Sequence, residues 1–270
     1  MSRSEVVLVA VDDGVATITL NRPDARNAMN SALGVGLARA VADCEADDGV
    51  AAMILTGADP AFCAGADLEE ISNAPTGVPV PDPDDPYRRD EIGKYAEFRG
   101  PFPPHDKPLI GAINGACITG GFEIALNCDF LIASERARFA DTHARVGIMP
   151  GWGLTVLLVE SVGVRRAREL SATGNFIDAS TALAWGLVNH VVPHEDLLPF
   201  TRDLARAVVG NDQVAVQRMF ATYAEIAASV YDDGWAIEDR VNRAWLADGI
   251  DAAEVGRRRS AIEERGRTQL

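Results

Sequence analysis

The sequence predicts an α/β fold with buried, mostly parallel strands, and three observations carry that prediction. Two β-rich runs, residues 6–11 and 15–20, flank Asp12-Asp13-Gly14, a hairpin signature. Later runs at 50–55, 109–113 and 130–133 are apolar without alternation, as strands covered on both faces are. Between such runs lie segments with apolar residues at helical spacing, so strands and helices alternate along the chain.

Taken in order, the second hairpin strand ends at Asn21-Arg22-Pro23-Asp24, where proline removes a ladder donor. A helix follows over 31–46, with Leu33, Leu37, Ala40 and Val41 on one face. The strand at 50–55 stops at Thr56-Gly57, and residues 73–86 hold five prolines with no period, which reads as a surface loop. After the 109–113 strand, a glycine-rich turn leads into an apolar helix over 121–126 and then the short strand at 130–133. From Leu197 onward the pattern is helical, with Leu204, Val208, Val216, Met219, Phe220, Tyr223 and Ile226 at helical spacings. The expected division is a core at 1–199 and a helical region at 200–270.

The 270 residues include 47% hydrophobic and 24% charged positions, ordinary for a globule with a sizeable core. That composition excludes overall disorder, a collagen repeat and a disulfide scaffold. With 25 basic against 40 acidic residues the net charge is −15, which disfavours nucleic acid and anionic membranes as partners. Residues 43–91 hold 13 acidic and 2 basic residues, so −11 of the −15 is local. Cys44, Cys63, Cys117 and Cys128 show no CxxC spacing, which argues against a zinc site or a disulfide framework and for a reducing compartment. The N-terminus enters a strand pattern without a signal-peptide core, and no apolar run reaches membrane-spanning length. A soluble, cytoplasmic protein is expected.

Three segments could carry chemistry. Ala61-Phe62-Cys63-Ala64-Gly65-Ala66-Asp67-Leu68 is a small-residue turn between a strand and a helix, where outward N–H groups suit a developing oxyanion. Taken alone, a tight turn capped by Asp67 explains it as well. Asn114 to Glu123 contains Gly120-Gly121, which lets backbone approach a ligand, and places Glu123 in an otherwise apolar helix. Glu123 could simply complement the helix dipole, but a carboxyl group in apolar surroundings can also serve as acid or base. No G-x-G-x-x-G is present, so a dinucleotide site has little support. The third segment, Phe139-Ala140-Asp141-Thr142-His143 followed by Gly147-Ile148-Met149-Pro150-Gly151-Trp152-Gly153, contains a histidine with no second His at metal spacing. A lone His in a turn is more often structural than catalytic. His190 and His194 read as polar residues of a strand-to-helix turn, and no G-x-S-x-G elbow occurs.

Together these segments resemble the enoyl-CoA hydratase/isomerase (crotonase) superfamily, over almost the whole chain and in the family's order. The matches are Asn21-Arg22-Pro23 with Asn27-Ala28, Phe62 to Asp67, Lys107-Pro108 to Gly115, Gly120-Gly121-Phe122-Glu123 through Cys128-Asp129, Gly147 to Gly151, and Gly186-Leu187-Val188. The resemblance implies a crotonase-like spiral of ββα units with a C-terminal helical trimerisation region, commonly built into hexamers. It implies an acyl-CoA thioester substrate, with coenzyme A entering as part of that substrate and no permanently bound cofactor. The two backbone donors to the thioester oxygen map to Ala66 and Gly120. Ala25, Ala64, Gly65, Asp67 and Leu68 map to the CoA groove, and Gly121, Pro150 and Trp152 to the substrate site.

Three departures qualify the match. Family hydratases carry two glutamates; Glu123 matches the first, but the second falls at His143, which either replaces that acid/base or merely walls the site. Glu69 stands at a usually basic place near the CoA phosphates, which turns attention to Arg22 and to Arg257-Arg258-Arg259, although such a cluster is more often a solvated helix face. Gly153-Leu154-Thr155 lacks a second glycine beside Trp152, a change expected to reshape the acyl pocket. The expected activity is hydration of a 2,3-enoyl-CoA, with double-bond isomerisation or other thioester chemistry as alternatives. An acyl-CoA-binding subunit with little turnover is the non-enzymatic one.

Overall fold

The opening residues form the predicted hairpin. In the computed structural model, which describes residues 5–73 and 100–247 and isolated positions 264 and 267, β1 (Val7–Asp12) pairs antiparallel with β2 (Val15–Leu20). Asp13 and Gly14 at the tip both have positive φ, 48° and 77°, as a two-residue turn matched to strand twist requires. The proline-rich loop beyond Asn73 and the cluster Arg257-Arg258-Arg259 lie outside the described residues.

Helix α1 (Ser31–Ala46) starts where Asn30 caps it, its side chain accepting from the Leu33 N–H, and buries Leu33, Leu37, Ala40 and Val41. It carries the chain to β3 (Ala52–Gly57), parallel to β2. The uninterrupted apolar runs have the predicted cause. In β3, Met53 and Leu55 enter the main core while Ala52 and Ile54 enter a second cluster on the opposite face. The same alternation divides β5 (Leu109–Ile113): Leu109 and Ile113 point one way, Ile110 and Ala112 the other.

Simple strand–helix alternation gives way to a strand–strand–helix repeat. After β3 come β4 (Ala61–Cys63) and α2 (Leu68–Asn73); after β5, β6 (Ala116–Ile118) and α3 (Gly120–Leu126); after β7 (Phe130–Ser134), β8 (Arg138–Ala140) and α4 (His143–Val146). The longer strand of each unit joins a six-stranded sheet, which β10 (His190–Val192) completes in the order β1-β2-β3-β5-β7-β10. The shorter strand joins a second sheet, ordered β4-β6-β8-β9, with β9 at Ile177–Asp178. This is the spiral of ββα units that the resemblance implies. The second strands of successive units are neighbours in the second sheet, so the turns after β4, β6 and β8 lie beside one another.

Three helices, α5 (Leu154–Val162), α6 (Val164–Thr173) and α7 (Ala179–Trp185), follow the repeat. Helix α8 (Leu197–Val209) lays Leu197 and Ala205 on the outer face of the six-stranded sheet. Helix α9 (Gln213–Ala247) continues the helical tail, with Met219, Tyr223 and Ile226 exposed.

Candidate active site

The stacked turns bring two backbone donors together. Ala66 forms a parallel bridge with Met29, whose N–H donates to the Gly65 carbonyl at 2.7 Å and whose carbonyl accepts from Asp67 at 2.9 Å. In that geometry the N–H of Ala66 itself points to the opposite side. Gly120 opens α3, where first-turn N–H groups have no intrahelical acceptor. A Cβ placed on Gly120 would lie 3.9 Å from the Ala66 nitrogen, so the two donors are neighbours. Glycine is required nearby for two separate reasons. Gly65 has φ of +91°, and a Cβ on Gly121 would come within 2.3 Å of the Cys63 carbonyl, which sets how closely α3 sits on β4.

Thr119, just before Gly120, has φ of 54°, a left-handed conformation that costs a β-branched residue about 1–3 kcal/mol. It is held there by its N–H to the Ala140 carbonyl at 2.9 Å, by its own carbonyl, which accepts from Glu123 at 3.0 Å, and by a hydroxyl contact with Thr142. Phe62, Phe122 and Phe139, each fully buried, anchor the three segments concerned, with the Phe122 and Phe139 rings 5.7 Å apart.

Glu123 lies three residues after Gly120 on the same helical face, so its side chain leans back toward the turn that Gly120 opens. It is buried, at 3% exposure, yet hydrogen-bonded: Oε1 accepts from the Gly151 N–H at 3.1 Å and the Trp152 N–H at 2.7 Å. Oε2 lies 3.4 Å from Nε2 of His143. His143 opens α4, and its Nδ1 is 2.7 Å from Oδ1 of Asp141, which also accepts the His143 N–H at 3.1 Å. The imidazole, buried at 5% exposure, thus sits between two carboxylates. Burial opposes its charge, but hydrogen bonds and Coulomb attraction from Asp141 and Glu123 outweigh burial and raise its pKa to about 9. For Asp141 burial likewise pushes upward, and the hydrogen bond and charge of His143, with Ser171, bring the net shift below the ordinary carboxylate value. The structure therefore joins Glu123 and His143, and the lone histidine of the sequence is the middle member of an Asp141–His143–Glu123 triad.

The residues that the resemblance maps to the CoA groove also converge. The Ala64 N–H donates to the Arg26 carbonyl at 3.0 Å, which with the Met29–Ala66 bridge lays residues 22–29, including Ala25, along 64–68. Arg22 pairs with Asp67 at 3.0 Å and also donates to the Ala28 carbonyl, so its guanidinium braces this junction. Asp67 additionally accepts the Glu69 and Glu70 N–H groups at the start of α2, as capping predicts. Leu68 packs with Ile71 and Val146. The Trp152 ring reaches within 3.7 Å of the Cβ position on Gly120, and the carbonyl of buried Pro150 accepts from Asn242 at 3.0 Å. Among the described residues no cluster of three or more His, Cys, Asp or Glu suits a metal ion.

Two residues escaped the sequence reading. Asp141 is two positions before His143, and that Asp-x-His spacing at a strand end was the available signal. Glu238, which binds the segment after Trp152 from 85 residues away, had none.

The model of the "Enoyl-CoA hydratase/isomerase" family matches residues 10–247. A protein of Arabidopsis thaliana named "Probable enoyl-CoA hydratase 1, peroxisomal" is 40% identical over 225 residues, 83% of this chain and 77% of that protein. The "Short-chain-enoyl-CoA hydratase" of Clostridium acetobutylicum is 37% identical over 221 residues, 78% of each chain. A crystal structure of an enoyl-CoA hydratase from Mycobacterium avium superposes with a TM-score of 0.79 at 44% identity, covering 90% of this chain and 98% of that one. Neighbouring N–H groups at Ala66 and Gly120, a buried carboxylate on the helix that Gly120 opens, and a family match over residues 10–247 agree: the chain belongs to the enoyl-CoA hydratase/isomerase family.

Proposed function

We propose that the protein is an enoyl-CoA hydratase that adds water across the 2,3-double bond of an enoyl-CoA thioester. The observation that carries this reading is the contact of Glu123 and His143, 3.4 Å apart, on the helical face of the Gly120 donor. The thioester oxygen would take the N–H groups of Ala66 and Gly120, which stabilise the enolate oxygen; one such donor is worth about 3–4 kcal/mol in the transition state. Glu123, as carboxylate, accepts a proton from water as its oxygen bonds to Cβ and the electron pair of the double bond moves toward the thioester. His143, as imidazolium, delivers a proton to Cα. The proton on Glu123 then passes across the same short contact to Nε2, restoring both groups for the next turnover.

The CoA portion would lie along the junction of residues 22–29 and 64–68, with Trp152 bounding the acyl side beside Gly120. Coenzyme A enters and leaves as part of substrate and product, and the proposed chemistry needs no resident cofactor. Self-association as a trimer or hexamer is supported by exposed Met219, Tyr223 and Ile226 on α9, and sedimentation measures it. Four buried, unpaired cysteines support a reducing, cytoplasmic setting. Purified protein mixed with trans-2-enoyl-CoA tests the activity: a 3-hydroxyacyl-CoA product is expected, and migration of the double bond without hydration would point to an isomerase.

A further inference from the structure

Glu238 lies on α9, far in sequence from the site, and is buried at 6% exposure. Its carboxylate accepts from the Gly153 N–H at 2.5 Å, the Thr155 N–H at 2.8 Å and the Thr155 hydroxyl. These groups open α5, where orphan N–H donors and the helix dipole favour an anion. The two N–H groups immediately before them, from Gly151 and Trp152, go to Glu123. Along residues 151–155 four of the five backbone donors are thus divided between two carboxylates, one from α3 and one from α9.

Helix α9 fastens this segment at further points. Asn242 donates to the carbonyls of Met149 and Pro150 at 3.1 and 3.0 Å, and the Trp245 indole donates to Gly147 at 3.1 Å. The Trp235 ring covers Gly153 so closely that a Cβ there would come within 2.2 Å of it.

We propose that Glu238 is a positioning residue for the reaction: by holding the Gly153 and Thr155 donors it aims those of Gly151 and Trp152 at Oε1 of Glu123, leaving Oε2 for His143 and substrate. Without it, the N-terminus of α5 lacks its anion. The carboxylate already bound to the same strip is Glu123, which is then drawn toward Gly153 and away from His143. The catalytic consequence rests on the hydratase reading; the geometric one does not.

Two readouts on the full-length chain test it. In Glu238→Gln, kcat for trans-2-enoyl-CoA is expected to fall by about ten- to a hundredfold, with KM within about twofold, because a misplaced base affects chemistry more than binding. The NMR titration of His143, faced by Asp141 and Glu123, is expected to move to lower pH as Glu123 withdraws. Glu238→Asp, which retains the charge but shortens its reach, is expected to show both effects at smaller size and serves if the Gln variant does not fold. A purely structural role would lower the melting temperature and leave kcat per folded molecule and the His143 titration unchanged, which overturns the proposal. Wild-type protein that hydrates no enoyl-CoA defeats the reaction reading alone, since the titration still decides the role of Glu238.

Discussion

Asp141→Asn removes one of the two carboxylates that hold His143 charged. In the intact protein burial works against the imidazolium, yet Asp141 and Glu123 raise its pKa from 6.5 to about 9. At pH 8 a group with a pKa of about 9 is about nine-tenths protonated. An adjacent carboxylate typically moves a neighbour by about 1–3 units, so the variant imidazole should titrate about two units lower. It would then be only about one-tenth protonated at pH 8. If imidazolium supplies the proton to Cα, kcat/KM at pH 8 drops about tenfold, while at pH 6 the change is only about 1.1-fold. Stability follows the same sign in the parent protein. The contribution of His143, whose folded pKa is raised, is complete below 6.5 and lost as pH rises through about 9. That of Asp141, whose folded pKa is lowered, is present above 3.8 and lost as pH falls through its lowered value. The assay is the pH profile of kcat/KM for a trans-2-enoyl-CoA. An Asn variant with the parent's alkaline limb would refute the charge state and the role assigned to it.

Other consequences are simpler to read. Phe139→Ala empties a fully buried site against Phe122 and should cost about 3–5 kcal/mol in urea denaturation; a loss under about 1 kcal/mol would mean that the anchor is dispensable. Arg22→Ala breaks the brace to Asp67 and the Ala28 carbonyl. It is expected to cost about 1.5–3 kcal/mol of stability and to lower kcat/KM through a displaced Ala66 donor, and parent values in both measurements would contradict the bracing role. Trp152→Ala opens the space beside Gly120 and should shift the preference among enoyl-CoAs toward longer acyl chains; an unchanged chain-length series would place the acyl wall elsewhere.

Legibility in the sequence follows element length and locality. The hairpin announces itself by its Asp-Gly turn, α1 by a helical period over sixteen residues, and the long strands by unbroken apolar runs. Strands β4, β6 and β8 do not, since three residues define no alternation, and residues 114–119 read as a glycine-rich turn although Ala116–Ile118 is a strand. Missing those strands also hid the second sheet, the element that sets the three candidate site turns side by side. For the site, Glu123 stood out as an acid in an apolar helix, whereas its donors at Gly151 and Trp152 are backbone groups that any residue carries. The value of His143 lay in its neighbours: alone it read as structural, and only folding sets its ring between Asp141 and Glu123.

The central claim is that Glu123 and His143 together move the protons of hydration at one oxyanion site. Incubating the protein with trans-2-enoyl-CoA in deuterated water, and analysing the product by mass after return to ordinary water, tests it most directly. The account predicts a 3-hydroxyacyl-CoA carrying one deuterium on Cα, with Glu123→Gln and His143→Ala each losing most of the rate while still binding the thioester. Full hydration by the His143→Ala variant, or deuterium entering an alkene that is never hydrated, would contradict it.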